Sequence, residues 1–466
     1  MPENVESRTT RAESPEPPRG GGGFARFMRP INSLVERFIP SALVFAIVLS
    51  IIVMLGALAL TDTGPVDVIR AWGNGLAGLL AFMTQMALIL LLGFILANTG
   101  PVRGLLRRLA AVPSGRVMPY VFVAVVTCVA GLITWGLGLV VGALLAKEVA
   151  AEGRRRGEAR HFPLLVAAGY TCMVVWHMGY SGSAPLVAAT PDSFVAEQLG
   201  EPLSITATTF SLGNLVTAAL AVVVVAATIG LMAPKSKGDI IEMPEHQMDE
   251  DEIVYDVDTP ADRLDASRLV TLIPGLLLVA YLAVHFSDGG SLTLDIVNWS
   301  FLTLCLLLVK NPFELIELTK RAASNVGEIL IQFPLYAGIM GIMAGTGLIT
   351  VLSESIVAVA NASTFGLLAF LSAGLVNFFV PSGGGQVAVQ GPVLLEAAKS
   401  LGVSPRVAIL AISYGDQWTN MIQPFWALPL LAIAKLKLRD ILAYTTMVLI
   451  TTGVLFSITM IILGAG

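Results

Sequence analysis

The chain has 466 residues, a formal net charge of −5, 55% hydrophobic residues and only 13% charged ones, with a mean hydropathy of +0.79. Soluble globular chains carry about 25% charged residues, so this balance excludes an ordinary soluble domain. No basic patch interleaves with aromatics, so no nucleic-acid partner is expected. Cys128, Cys172 and Cys305 all fall in apolar runs without zinc spacing, and they read as small buried hydrophobes.

Residues 1–36, rich in Pro, Gly and charge (ESPEPPRGGGG), predict a disordered cytoplasmic tail; the first apolar run begins near residue 40, too late for a signal peptide. Apolar stretches of membrane length then predict nine crossings, at 40–61, 78–99, 162–188, 207–233, 269–286, 296–310, 326–348, 405–432 and 441–464. Arg103, Arg107, Arg108 and Arg116, then Lys147, Arg154, Arg155, Arg156 and Arg160, belong in the cytoplasm by the positive-inside rule, as do Lys310, Lys320 and Arg321 and the final Lys435, Lys437 and Arg439. The N-terminus is then inside and the C-terminus outside. Val117 to Ala146 lies between two cytoplasmic clusters and is short for two full spans, so it predicts a re-entrant hairpin turning at TWGLG. Phe365 to Ala398 predicts a matching hairpin turning at VPSGGGQ from the opposite side. Segments 65–75 and 311–325 read as interfacial amphipathic helices, and 234–268, with MDEDEIVYDVD, as an acidic cytoplasmic linker.

Elements recur. Gln85, Ala97, Thr99 and Gly100 return as Gln332, Ala344, Thr346 and Gly347; Ala130 to Ile133 returns as Ala373 to Val376. Ala167, Tyr170, Pro185, Leu186 and Ala188 return as Ala411, Tyr414, Pro429, Leu430 and Ala432. The expected fold is an all-α polytopic membrane protein with two inverted repeats, 37–233 and 269–466, each holding a re-entrant hairpin and a broken transmembrane helix. Such repeats with midplane sites are a transporter signature.

Hydrocarbon offers no water to freed backbone groups, so broken helices survive at depth only where they line a cavity or pack on protein. The tips Thr134, Trp135, Gly136 and Gly138, and Ser382, Gly383, Gly384 and Gly385, are therefore candidate ligands, with helix N-termini that attract a carboxylate. Packing through small residues is the competing reading, and it weighs most on the first tip. The breaks add Ser181, Gly182 and Ser183 ahead of Pro185, and Asp416, Gln417, Thr419, Asn420 and Gln423 ahead of Pro424. Asp416 is the sharpest residue, since an ionisable group inside a span is a functional candidate by default. His177 falls beside the first break and suits proton transfer, or a hydrogen-bonded structural role. No Arg or Lys falls in either break, which favours a monocarboxylate over di- or tricarboxylates, the alternative cargo on this scaffold. Driving an anion into a negative cell calls for co-transported H⁺ or Na⁺. No enzyme is expected, because paired catalytic groups such as HExxH are missing, and neither a metal nor a cofactor is expected.

These stretches (WGLGLVVGALLAKEVA, SGSAPLVAATP, VPSGGGQVAVQGP and YGDQWTNMIQPFWALPLLAIAKLKLRDI) strongly resemble the bacterial short-chain fatty acid transporter family of the acetoacetate/butyrate permease type, from about Phe27 to the C-terminus. The resemblance implies uptake of short-chain fatty acids across the inner membrane, membership of the wider ion-transporter superfamily with elevator-like motion, a homodimer in membrane lipid, and Gln386 as part of the second tip. Gln386, Asp416 and His177 stand where the family pattern often has His, Glu and Gly.

Overall fold

The computed structural model describes residues 42–78, 80–133, 135–189, 193–245, 257–290, 294–323, 326–381 and 383–465. The expected N-terminal tail and the acidic run at 246–256 lie outside the described residues. Among the described residues every regular element is a helix.

The first half runs α1 (Ala42–Leu60), α2 (Pro65–Gly75), α3 (Leu80–Asn98), α4 (Gly100–Ala110), α5 (Met118–Ile133) and α6 (Trp135–Arg155). An interrupted span follows, α7 (Phe162–Tyr170) and α8 (Ser183–Ala189), then a short α9 (Phe194–Leu199) and α10 (Leu212–Leu231). Two connecting helices, α11 (Pro260–Asp265) and α12 (Arg268–Ser287), lead into the second half. There the order returns: α13 (Leu294–Leu308), α14 (Pro312–Ala323), α15 (Gly327–Gly345), α16 (Leu348–Val357), α17 (Ala362–Asn377) and α18 (Gly383–Ser400). A second interrupted span, α19 (Pro405–Thr419) and α20 (Pro424–Ala434), precedes the final α21 (Leu438–Ala465).

Packing partners exchange between the halves. α2 lies on α15 and its counterpart α14 on α3; α1 lies on α15 and α13 on α3. Within each half α4 packs on α6 and α16 on α18, and α10 on α5 and α21 on α17; across the halves α20 packs on α6 and α8 on α18. Helices in corresponding places of the two halves thus have corresponding packing partners. Two bodies result: α1–α3 with α12–α15, and α5–α10 with α17–α21, with α4 and α16 packed on the hairpin arms between them.

Among the described residues, four segments are long and apolar enough to cross a bilayer: Phe162–Ala189, Leu212–Leu231, Arg268–Ser287 and Leu438–Gly464. They are not equivalent. The first is wholly buried, whereas only 11% of the apolar window of Arg268–Ser287 is buried, with Leu269, Ile273, Leu276 and Leu277 turned outward. An apolar perimeter around a polar-containing interior is what lipid as solvent demands, and the chain is a membrane protein.

The expected crossings agree with the helices to within a few residues. Four helices were not foreseen: the six-residue α9 and α11, and the longer α4 and α16. α4 carries Arg103, Arg107 and Arg108, read only as a charge cluster, yet it buries Leu106 and Ala110 on one face. α16 is separated from α15 because Gly347 takes φ +71°, a left-handed conformation that ends the helix. The first hairpin also runs longer than expected. α6 has 21 residues, about 32 Å, and continues past Ala146 to Arg155. Its last turns are charged, with Glu152 paired to Arg155 (2.8 Å) and Arg156 (2.6 Å), and Glu148 3.7 Å from Arg107. The start of the interhalf linker is docked, not solvated. The Phe162 N–H donates to the Ile241 carbonyl (2.8 Å), and Arg154 donates to Glu242 (3.3 Å) and to the Met243 carbonyl (2.9 Å).

Candidate functional site

Each interruption has a local cause. After Tyr170 the chain takes two 3₁₀ turns, Thr171–Val174 and Trp176–Met178, and then an extended Gly179. The Tyr180 N–H donates to the Leu132 carbonyl at the end of α5 (2.8 Å). A β-carbon on Gly179 would collide with that same carbonyl, so only glycine allows the approach. The first break is thus wrapped around the tip of the first hairpin. The second break is shorter. One 3₁₀ turn, Asn420–Ile422, leads to an extended Gln423, and Pro424 opens α20, where its missing N–H costs nothing. The two breaks touch, and the Tyr170 hydroxyl donates to the Asn420 carbonyl across the contact (2.6 Å).

His177 and Asp416 face each other from the two breaks, with Nδ1 3.7 Å from Oδ1 and both side chains fully buried. The His177 N–H donates to Gln417 Oε1 (3.1 Å), and its Nδ1 lies 3.2 Å from the Ser413 carbonyl. Asn377, at the end of α17, binds the second break together. Its amide reaches the Asp416 carbonyl (2.8 Å), the Thr419 hydroxyl (3.0 Å) and Asn420 Oδ1 (2.7 Å), while Gln423 Nε2 donates back to the Asn377 carbonyl (2.6 Å).

These bonds leave a residue of unmet polar atoms. Among the described residues, His177 Nε2, Gln417 Nε2, Asn420 Nδ2 and Gln423 Oε1 have no hydrogen-bond partner, and neither has the Ser181 hydroxyl. Asn420 stands within electrostatic reach of the Asp416 carboxylate, yet neither carboxylate oxygen accepts a hydrogen bond of normal geometry from a described residue. Buried polar groups are normally paired, so such a cluster needs an explanation. No group of three His, Cys, Asp or Glu side chains suited to a metal ion occurs among the described residues.

The other expected residues divide. Thr134 and Ser382 lie outside the described residues. Trp135 meets Trp426 edge-on at 5.1 Å, and Trp426 lies 6.2 Å from Trp176, which stacks on His177 at 3.7 Å, so aromatic rings from one tip and both breaks adjoin. Gly136 is buried in the first turn of α6. Gly138 is used for packing: a β-carbon there would lie 2.7 Å from Cys172 Cβ. Gly142, one turn on, meets the Gly169 carbonyl in the same seam, the close helix approach that small residues permit in membranes. Gly182 sits against the His177 carbonyl, and Ser183 opens α8. A β-carbon on Gly383 would collide with His177 Nε2 and come 3.0 Å from Ser183 Oγ; one on Gly384 would meet no described atom within 4 Å. Gly385 follows in the first turn of α18. Gln386 faces α17, donating to the Ala373 carbonyl (2.8 Å) and to Gln390 (3.1 Å), and Thr419 is held to the Gly374 carbonyl (3.0 Å).

Sequence reasoning missed Asn377, Ser413 and Tyr170. Asn377 had a signal, as a lone amide ending an apolar arm. Ser413 had none, because it acts through its backbone carbonyl.

A lipid-facing helical perimeter around two interrupted spans that meet at buried, partly unpaired polar groups defines a polytopic membrane transporter. The match to known proteins is more specific. Residues 24–463 match the model of the family described as short chain fatty acid transporter, and the chain belongs to that family, which is one of transporters and not of enzymes. A protein of Escherichia coli K12, provisionally named a short-chain fatty acid transporter, is 41% identical over 94% of this chain and 98% of its own length. Its namesake in Haemophilus influenzae is 37% identical over 93% and 99%. Solved structures are more distant: the YdaH transporter of Alcanivorax borkumensis, 16% identical over 90% of this chain and 98% of that one, has a TM-score of 0.44. MtrF of Neisseria gonorrhoeae, 17% identical over 93% and 97%, has one of 0.41.

Proposed function

We propose that this protein carries short-chain monocarboxylates, such as butyrate and acetoacetate, across the bacterial inner membrane together with H⁺ or Na⁺. The observation that carries the reading is the meeting of both interrupted spans at one buried place where Asp416, Gln417, Asn420 and Gln423 hold polar atoms that find no partner among the described residues. The N-terminal turns of α18 and α20 add partial positive charge suited to a carboxylate. Neither 171–182 nor 420–423 holds an Arg or Lys, which weighs against a di- or tricarboxylate.

In this reading the repeats 37–233 and 269–466 are inverted across the membrane, and α5–α6 and α17–α18 are re-entrant hairpins reaching the midplane from opposite sides. The body built from the hairpins and broken spans moves as a unit against α1–α3 and α12–α15, an elevator for which α4 and α16 are the arms. The division into two packed bodies supports this.

The test is uptake of labelled butyrate and acetoacetate into proteoliposomes of the full chain under imposed pH or Na⁺ gradients. Saturable uptake of a monocarboxylate, competed by its homologues but not by succinate or citrate, is the expected result. Linear, non-saturating flux would assign a channel, and preference for succinate or citrate would replace the cargo.

A further inference from the structure

The site has no fixed cation for the anion assigned to it, and His177 can supply one. Its Nδ1 lies 3.2 Å from the Ser413 carbonyl, which can only accept, so Nδ1 carries the hydrogen and Nε2 keeps its lone pair. That Nε2 is buried and has no partner among the described residues. It is aimed at the first residue of α18, close enough that a β-carbon on Gly383 would collide with it. On the Nδ1 side of the ring, Asp416 Oδ1 stands 3.7 Å away. A helix N-terminus, an imidazole nitrogen and a carboxylate, drawn from both halves of the chain, therefore succeed one another through a single buried ring.

Resting on the carrier reading above, we propose that the coupling ion is a proton taken up by His177 Nε2, and that the protonated ring receives the substrate carboxylate at the N-terminus of α18. Protonation turns Nε2 from an acceptor into a charged donor, and a charge-assisted hydrogen bond to a carboxylate is about twice as strong as a neutral one. Asp416 is the positioning residue, because its carboxylate favours the imidazolium from behind while Ser413 holds the ring. Binding order follows: the proton first, the anion second. One proton and one carboxylate enter and leave together, so the loaded and empty sites carry the same net charge. Transport is then electroneutral and follows the pH gradient.

Other ionisable groups do not displace this pair. On the elements around the ring, Tyr170 and Tyr414 are committed to the Asn420 carbonyl and to Asn214 (2.6 and 2.9 Å). Cys172 and Cys128 bond to backbone carbonyls near the break, and Tyr120, at the opposite end of α5, accepts from the His161 N–H (2.8 Å). Tyr180 is half-exposed at the tip, and α10 has no ionisable residue. Arg406 lies ten residues before Asp416 on α19, and Glu396 and Lys399 end α18, each about 15 Å or more of helix away. Na⁺ as a hard cation takes oxygen ligands, and an imidazole ring occupying the junction suits a proton better.

The deciding experiment is counterflow and gradient-driven uptake of labelled butyrate in proteoliposomes across a pH series, with and without Na⁺. Wild type is expected to accumulate butyrate on an inside-alkaline gradient, without Na⁺ and without response to a potassium-diffusion potential. Its apparent KM should rise by about tenfold per pH unit once the binding proton is lost. His177→Gln replaces the ring by a polar amide that cannot titrate, and should show a raised KM that no longer varies with pH. Uptake driven by Na⁺ with counterflow intact, or a wild-type pH profile in His177→Gln, would overturn the proton assignment and leave the carrier reading standing. Absence of saturable counterflow for every monocarboxylate, in folded wild type, would overturn both.

Discussion

The first interruption has two 3₁₀ turns and the second has one, and the difference in length accompanies a difference in role. In the first, backbone groups are engaged by the neighbouring hairpin: Tyr180 by the Leu132 carbonyl, and Gly179 by direct contact with it. Among the described residues it contributes the unpaired His177 Nε2 and Ser181 hydroxyl. In the second, the Asn377 amide secures the turn, and the side chains of Asp416, Gln417, Asn420 and Gln423 keep unmet polar atoms. The first break is held through its backbone and brings His177 to the junction, whereas the second is held by an amide and brings four polar side chains.

The comparison can be broken most forcefully at Gly179. Gly179→Ala places a methyl on the Leu132 carbonyl and is expected to cost about 3 kcal/mol or more, seen as collapsed yield or a large drop in unfolding temperature in detergent. Gly384→Ala, where a β-carbon meets no described atom within 4 Å, should leave that temperature nearly unchanged. Equal effects at both positions would show that the first break is not held by this contact.

On the second break, Asp416→Asn is expected to lower butyrate counterflow by about a hundredfold, the scale of losing a buried charge interaction, while the protein stays folded. A variant that unfolds instead would move Asp416 from chemistry to architecture.

A third effect concerns the entry to the first break. Burial pushes His161 from 6.5 down to about 4. It accepts the Ile241 N–H at Nδ1 (2.9 Å), which places the hydrogen on Nε2, 2.7 Å from the Tyr444 hydroxyl. The neutral ring is therefore stabilising above pH 6.5, and that contribution is lost as pH falls from 6.5 towards 4. Between pH 7.5 and 5.5 the loss is about 1.4 kcal/mol, readable as a drop in unfolding temperature that His161→Gln should lack. The residue ahead of the second broken span is Ser404, which does not titrate.

The smallest expected change is at Ser181. If its unpartnered hydroxyl meets substrate, Ser181→Ala should raise KM by about threefold, within the 0.5–1.5 kcal/mol of one hydrogen bond, with no change in unfolding temperature. An unchanged KM would leave the first break with His177 alone as its contribution.

Much of this was legible in the residues. The spans, both breaks and the order of elements follow from apolar run length, proline and glycine, which are local properties. Asp416, Asn420 and Gln423 stood out because polar side chains in a membrane-length run are costly and so conspicuous. Gly138 stood out for the same local reason yet serves packing on Cys172, since glycine satisfies a tight turn and a close helix crossing equally well. α4 was hidden behind its arginines, whose charge marks topology more loudly than its narrow apolar face marks a helix.

By itself, then, the sequence determined the class of the molecule, its order of elements and the places where its helices had to break, because each depends on a window of neighbouring residues meeting lipid or water. Only the tertiary structure decided that His177 would stand 3.7 Å from Asp416, that Asn377 would bind the second break and that Gly383 would close on the imidazole. Those partners come from distant parts of the chain, up to 240 residues apart for the His177 to Gln417 bond. Their meeting depends on how whole helices pack, which no local window of residues encodes.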